Sequence, residues 1–160
     1  MEIILTYLLD RQGGKATFGD LYSITRIPKR TLKKFLWYCQ RRKLMRREIG
    51  IYYITDEGRD FIKSVPIISI GEKIFITAAD DQVHMVTLGR KMRIREFENE
   101  FLKKLVLQKC IKREEIRNSN NRRQLMSAIR LFRLLKMARY RGDSICIEPN
   151  SEILRTLGIF

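Results

Sequence analysis

Along residues 2–64 the apolar positions recur at helical spacing and then switch to alternation. Ile4, Leu5, Leu8 and Leu9 share one face of a helix over residues 2–11, and Gly13-Gly14 ends the pattern. Thr17 suits an N-cap, with Asp20 where its carboxylate meets the first-turn amides, so a short second helix is expected over residues 18–24. Pro28 suits the first position of a third helix because it has no amide hydrogen to leave unsatisfied. Over residues 28–43, Leu32, Phe35, Leu36 and Cys39 stand at i, i+3, i+4 and i+7 and form a face to bury. Arg30, Lys33, Lys34, Trp37 and Arg41 keep the same spacing on another side. Residues 44–48 and 51–55 alternate around Ile49-Gly50, which predicts a hairpin, and a last helix over residues 59–64 stops at Pro66.

From Val65 to Arg90 the period is two. Residues 66–70, 73–78 and 83–88 read as three short strands, which bury little alone and are expected to pack on a flanking domain or a second subunit. Helical spacing returns over residues 94–108. A shift of 93 positions carries Leu32, Leu36 and Cys39 onto Leu125, Ile129 and Phe132, and Lys43-Leu44 onto Lys136-Met137. It carries Lys29, Arg30 and Arg46 onto Arg122, Arg123 and Arg139, and Ile4, Leu8 and Leu9 onto Phe97, Phe101 and Leu102. A second unit of the same order follows, with its second helix and turn about two residues shorter, a hairpin around Gly142-Asp143, and a closing helix capped by Asn150 or Ser151.

Charge changes the picture. The chain has 33 basic and 18 acidic residues, a net charge of +15. Residues 1–63 hold 14 basic and 7 acidic side chains, residues 64–90 hold 2 and 3, and residues 91–160 hold 17 and 8. Two basic lobes around a neutral segment point to a polyanion, above all nucleic acid. The abundance of Ile, Arg and Lys, with a single His, fits a thermophilic source.

The apolar pattern Leu32, Phe35, Leu36, the Lys43-Leu44 helix exit and the phrase Tyr52-Tyr53-Ile54-Thr55-Asp56-Glu57-Gly58-Arg59 resemble the winged helix-turn-helix family of DNA-binding domains, especially small archaeal regulators. The resemblance covers about two fifths of the chain. It implies a mainly α fold with small β hairpins: winged-helix domains over residues 1–64 and 91–160, joined by a short β-stranded connector over residues 65–90. It implies sequence-specific binding of double-stranded DNA, most simply for transcriptional regulation. Lys29, Arg30 and Lys33 would enter the major groove, and Lys34, Arg41 and Arg42 would meet phosphates. Arg46 and Arg47 on the wing would meet the backbone or the adjacent minor groove. Trp37 would pack on sugar or a thymine methyl, or else anchor the protein's own core. In the second domain Arg122, Arg123, Arg139 and Arg141 are the corresponding candidates.

The second domain's long helix carries Met126, Ser127 and Arg130 where the first has Lys33, Lys34 and Trp37. With Leu131 and Leu134 it is apolar on most sides, so Met126, Leu131 and Leu134 are expected at an interface, with another subunit of a homodimer, with the middle strands, or with another protein. A protein-interaction or assembly module is therefore the competing function, and a replication or genome-maintenance role is a third.

Cys39, Cys110 and Cys146 are odd in number, far apart and set among apolar residues, so they read as buried thiols of an intracellular protein with no disulfide framework. No apolar run is long enough to span a bilayer, and no signal peptide is expected. Asp80, Asp81 and His84 cluster, but aspartates suit a turn between strands without a metal. With no phosphate-binding glycine loop, metal-ligand spacing or nucleophile–base pair, neither an enzyme nor a cofactor is expected.

Overall fold

The computed structural model describes residues 1–160. The chain opens with α1 (Glu2–Arg11), a strand β1 (Lys15–Thr17), α2 (Phe18–Thr25) and α3 (Lys29–Arg41). A hairpin of β2 (Met45–Glu48) and β3 (Ile51–Ile54) follows, then α4 (Asp56–Ser64). Four strands come next: β4 (Ile67–Ile70), β5 (Ile74–Ala79), β6 (Gln82–Thr87) and β7 (Arg93–Glu98). The last part repeats the opening order with α5 (Asn99–Gln108), β8 (Cys110–Lys112), α6 (Arg113–Asn118), α7 (Arg122–Leu134), β9 (Ala138–Arg141), β10 (Ser144–Ile147) and α8 (Ser151–Thr156).

The expectation of a mainly α fold is wrong. Eight helices and ten strands in three antiparallel sheets make an α/β mixture, 47% helical and 28% strand. The missing strand content has local reasons. β1 and β8 are three residues each, too short for alternation to show, and exist because β3 and β10 offer them an open edge. Helical spacing predicts a helix from Ile94, yet Arg93–Glu98 forms β7 beside β6, and the helix starts only at Asn99. Apolar residues at Ile94, Phe97, Phe101 and Leu102 imitate a helical face, and strand pairing overrides it.

The sheets have orders β1-β3-β2, β8-β10-β9 and β4-β5-β6-β7. Compactness divides the chain into one unit of Met1–Thr77 with Val86–Ile94, and another of Ala78–Met85 with Arg95–Phe160. β5, β6 and β7 each contribute residues to both units.

In the first unit α1 packs on α3 and α4, burying Ile4, Leu5, Leu9, Leu21, Ile27, Leu32, Leu36 and Met45. Phe75, Val86 and Leu88 from the middle strands and the turn after them join that core, and Phe75 meets Tyr7 edge-on at 6.1 Å. α2 starts with a capping box: Thr17 Oγ1 accepts from the Asp20 amide, and the Thr17 amide donates to the Asp20 carboxylate. The Thr17 hydroxyl and amide, both donating to the Asp20 carboxylate, hold its pKa below the ordinary value.

In the second unit Phe97, Leu102, Ile129, Phe132 and Leu157 are buried. α6 has six residues where α2 has eight. The repeat also shows in the backbone. Lys43 and Lys136, 93 residues apart, both turn into the left-handed region at φ 57° and 59° as α3 and α7 end. The next amide closes each helix in the same way: Leu44 donates to the Cys39 carbonyl at 2.9 Å, and Met137 to the Phe132 carbonyl at 2.7 Å.

The cysteine reading needs correction too. Cys110 and Cys146 form a disulfide, and only Cys39 is free. The pair stands directly opposite across β8 and β10, so the sheet brings together two residues 36 apart in sequence.

Candidate nucleic-acid interface

α3 begins at Lys29 with Pro28 as its cap residue, one position outside the helix, and the Pro28 carbonyl accepts from the Leu32 amide at 2.9 Å. Leu32, Leu36 and Cys39 are buried and Phe35 is half-buried. The opposite side is therefore fixed toward solvent, where Lys29, Arg30, Lys33, Lys34, Trp37, Arg41 and Arg42 stand around the free face. Half-buried Thr31 and buried Leu32 separate the exposed pair Lys29-Arg30 from the exposed pair Lys33-Lys34 at the helix start. Trp37 is 49% exposed, which rules out the core-anchor reading.

Lys29, Arg30, Lys33, Lys34, Arg41 and Arg42 take part in none of the ion pairs of the fold. Most rest on aromatic rings. Lys29 sits 5.5 Å from the ring of Tyr22, Lys33 5.9 Å from Phe18, and Lys34 5.9 Å from Tyr38. Arg41 lies 5.0 Å from the ring of Trp37, and Arg42 4.8 Å from Phe61. A ring face limits the wandering of a long side chain without neutralising its charge, as a carboxylate would.

The hairpin extends this surface. Its register sets Arg46 opposite Tyr53 and Arg47 opposite Tyr52, with guanidinium-to-ring distances of 5.3 and 5.5 Å. Both arginines are exposed, and Arg46 also pairs with Glu48. Sequence reasoning misses the aromatic partners Phe18, Tyr22, Tyr38, Tyr52, Tyr53 and Phe61. Lys34–Tyr38 and Trp37–Arg41 stand four apart on one helix, a spacing that announces side-chain contact. The wing pairs follow once the two-residue turn fixes the register.

In the second unit Arg122 and Arg123 are exposed in the first turn of α7. Arg139 and Arg141 are exposed on β9, but both bind Glu148, at 3.5 and 2.6 Å. Tyr140 between them stacks with Arg113 at 5.2 Å and Arg133 at 5.3 Å. The expected interface residues separate: Met126 is 44% exposed, Leu134 is half-buried, and Leu131 is wholly buried within the chain.

Asp80 and Asp81 occupy a turn at φ 52° and 59°, and His84 Nδ1 lies 3.7 Å from Glu96. The aspartates' conformation follows from their short polar side chains, which tolerate the left-handed region. No helix is long and apolar enough to cross a membrane. No family model matches the chain, and comparison with curated proteins and with solved structures gives no significant match.

Proposed function

We propose that this protein binds double-stranded DNA sequence-specifically, with α3 in the major groove and the β2–β3 hairpin on the adjacent backbone, in the manner of winged helix-turn-helix proteins. Transcriptional regulation is the simplest use of such binding. The carrying observation is a contrast among the helices. Six of the eight have an acidic residue in the first turn, where it complements the positive end of the helix dipole. α3 and α7 have none and instead begin with Lys29-Arg30 and Arg122-Arg123. Cations at the positive end of a helix are unfavourable in the free protein, by about 0.3–1 kcal/mol each. That arrangement becomes favourable when a phosphate arrives, because both the amides and the side chains then face an anion.

Each guanidinium or ammonium of α3 that meets a phosphate releases counterions, and Arg30 or Lys33 can pair with the acceptor edge of guanine. A homodimer would offer two copies of α3 to a palindromic site, with half-sites one helical turn apart. An assembly role through α7 has less support, because Leu131 is buried within the chain.

The test is the triple variant Lys29→Ala, Arg30→Ala, Lys33→Ala. Its duplex affinity should fall sharply, and its slope of log affinity against log salt should shrink by roughly 0.9 for each phosphate that is no longer neutralised. Unchanged affinity and slope would remove the proposal. Selection of bound duplexes from a random pool would then give the target, and a palindrome would show the dimer.

A further inference from the structure

The hairpin β2–β3 turns through only two residues, Ile49 and Gly50, because Glu48 stands opposite Ile51. Both adopt left-handed backbone, at φ 46° and 79°. That pair of angles belongs to the type I′ turn, which favours Asn, Asp or Gly at its first position because a β-branched side chain crowds its own backbone there. The rest of the chain obeys the preference. The turn before Gln82 uses Asp80-Asp81, and the β9–β10 hairpin uses Gly142 at φ 57°. The other left-handed residues apart from glycine are Arg26, Lys43, Lys109 and Lys136, all unbranched at the β-carbon.

Ile49 is also 102% exposed, so its side chain buries nothing in the fold. Two costs meet at one residue: a strained backbone and an apolar side chain held in water. Neither folding nor packing is served by it. Arg46 and Arg47 stand just behind it on β2, and the adjacent carboxylate, Glu48, is paired with Arg46.

We propose that Ile49 is an apolar wedge that enters the minor groove of duplex DNA and opens a base step, while Arg46 and Arg47 meet the flanking backbone. Proteins that bend duplexes use Ile, Leu, Phe, Met or Pro in this way, and the unstacking is repaid by the extra surface the bent DNA reaches. A rigid two-residue turn suits a wedge, since the side chain is aimed by backbone and loses little freedom on insertion. Pyrimidine–purine steps unstack most readily, so the wedge would favour a TA or CA step beside the sequence read by α3. This inference rests on the duplex-binding proposal and deepens it.

The experiment uses the full chain and an A·T-rich duplex of about 30 base pairs with a central TA step, dyes at its two ends and 2-aminopurine beside the step. The wild type should shorten the end-to-end distance and raise 2-aminopurine fluorescence. Ile49→Asn should keep binding within roughly tenfold, lose both signals, and melt at a higher temperature because Asn-Gly relieves the turn. Ile49→Leu, still apolar, should keep both signals. Equal bending by the wild type and Ile49→Asn, or no bending by either while both bind, would overturn the wedge and leave duplex binding standing. A lower melting temperature for Ile49→Asn would also overturn it, by showing that the fold itself needs isoleucine there. Failure of the wild type to bind any duplex would overturn both proposals.

Discussion

A β-carbon on Gly58 would lie 2.1 Å from the carbonyl oxygen of Leu44, so the first turn of α4 meets the exit of α3 backbone to backbone. Thr55 fastens the same joint: its hydroxyl donates to the Lys43 carbonyl and accepts from the Gly58 amide at 3.0 Å. Gly58→Ala should therefore lower stability by about 1–3 kcal/mol or more, since the obstacle is backbone and cannot swing aside. Thr55→Val should cost about 1 kcal/mol through the missing cap. Denaturant unfolding should show a shifted midpoint with an unchanged slope for both.

Glu148 neutralises two cations of the second hairpin at once, Arg139 and Arg141. Glu148→Gln should free both. If that hairpin reaches DNA in the complex, nonspecific duplex affinity at low salt should rise and the salt slope steepen by up to about 1.8, the value for two more neutralised phosphates. An unchanged slope would show that Arg139 and Arg141 meet no phosphate.

The Cys110–Cys146 bond ties β8 to β10 and closes a loop across α6 and α7. Replacing both cysteines with serine should cost about 2–4 kcal/mol, chiefly by freeing the unfolded chain. A dithiol reductant should lower the wild-type melting temperature and leave that of the double variant unmoved.

Burial pushes the Cys39 thiol up to about 12 from an ordinary 9.0, with the nearby Glu2 carboxylate adding to the effect. The folded chain thus holds this proton more tightly than the unfolded chain. The contribution is complete below about pH 9 and is lost as pH rises toward about 12. The advantage of the wild type over Cys39→Ala in chemical denaturation should stay level up to about pH 8 and shrink above about pH 9. Cys39 should resist alkylation at about pH 8 until the protein unfolds, because the thiolate is the reactive form.

Helices α1 to α4, the first hairpin and the cationic face of α3 are legible in the sequence because each is encoded locally. Leu32, Leu36 and Cys39 fix which side of α3 is buried, and that alone sends Lys29, Arg30, Lys33, Lys34 and Trp37 outward. The repeat is legible for the same reason, since Lys43-Leu44 and Lys136-Met137 end their helices by local hydrogen bonds.

The tertiary structure decided what depends on partners distant in sequence. β1 and β8 are strands only because β3 and β10 lie beside them, and β7 is a strand because it pairs along β6. Cys110 meets Cys146 through sheet register, which no spacing encodes. The aromatic supports of Lys29, Lys33 and Arg42 come from α2 and α4, and their distances exist only once those helices pack. Periodicity assigns a residue to a face; only packing determines what that face will meet.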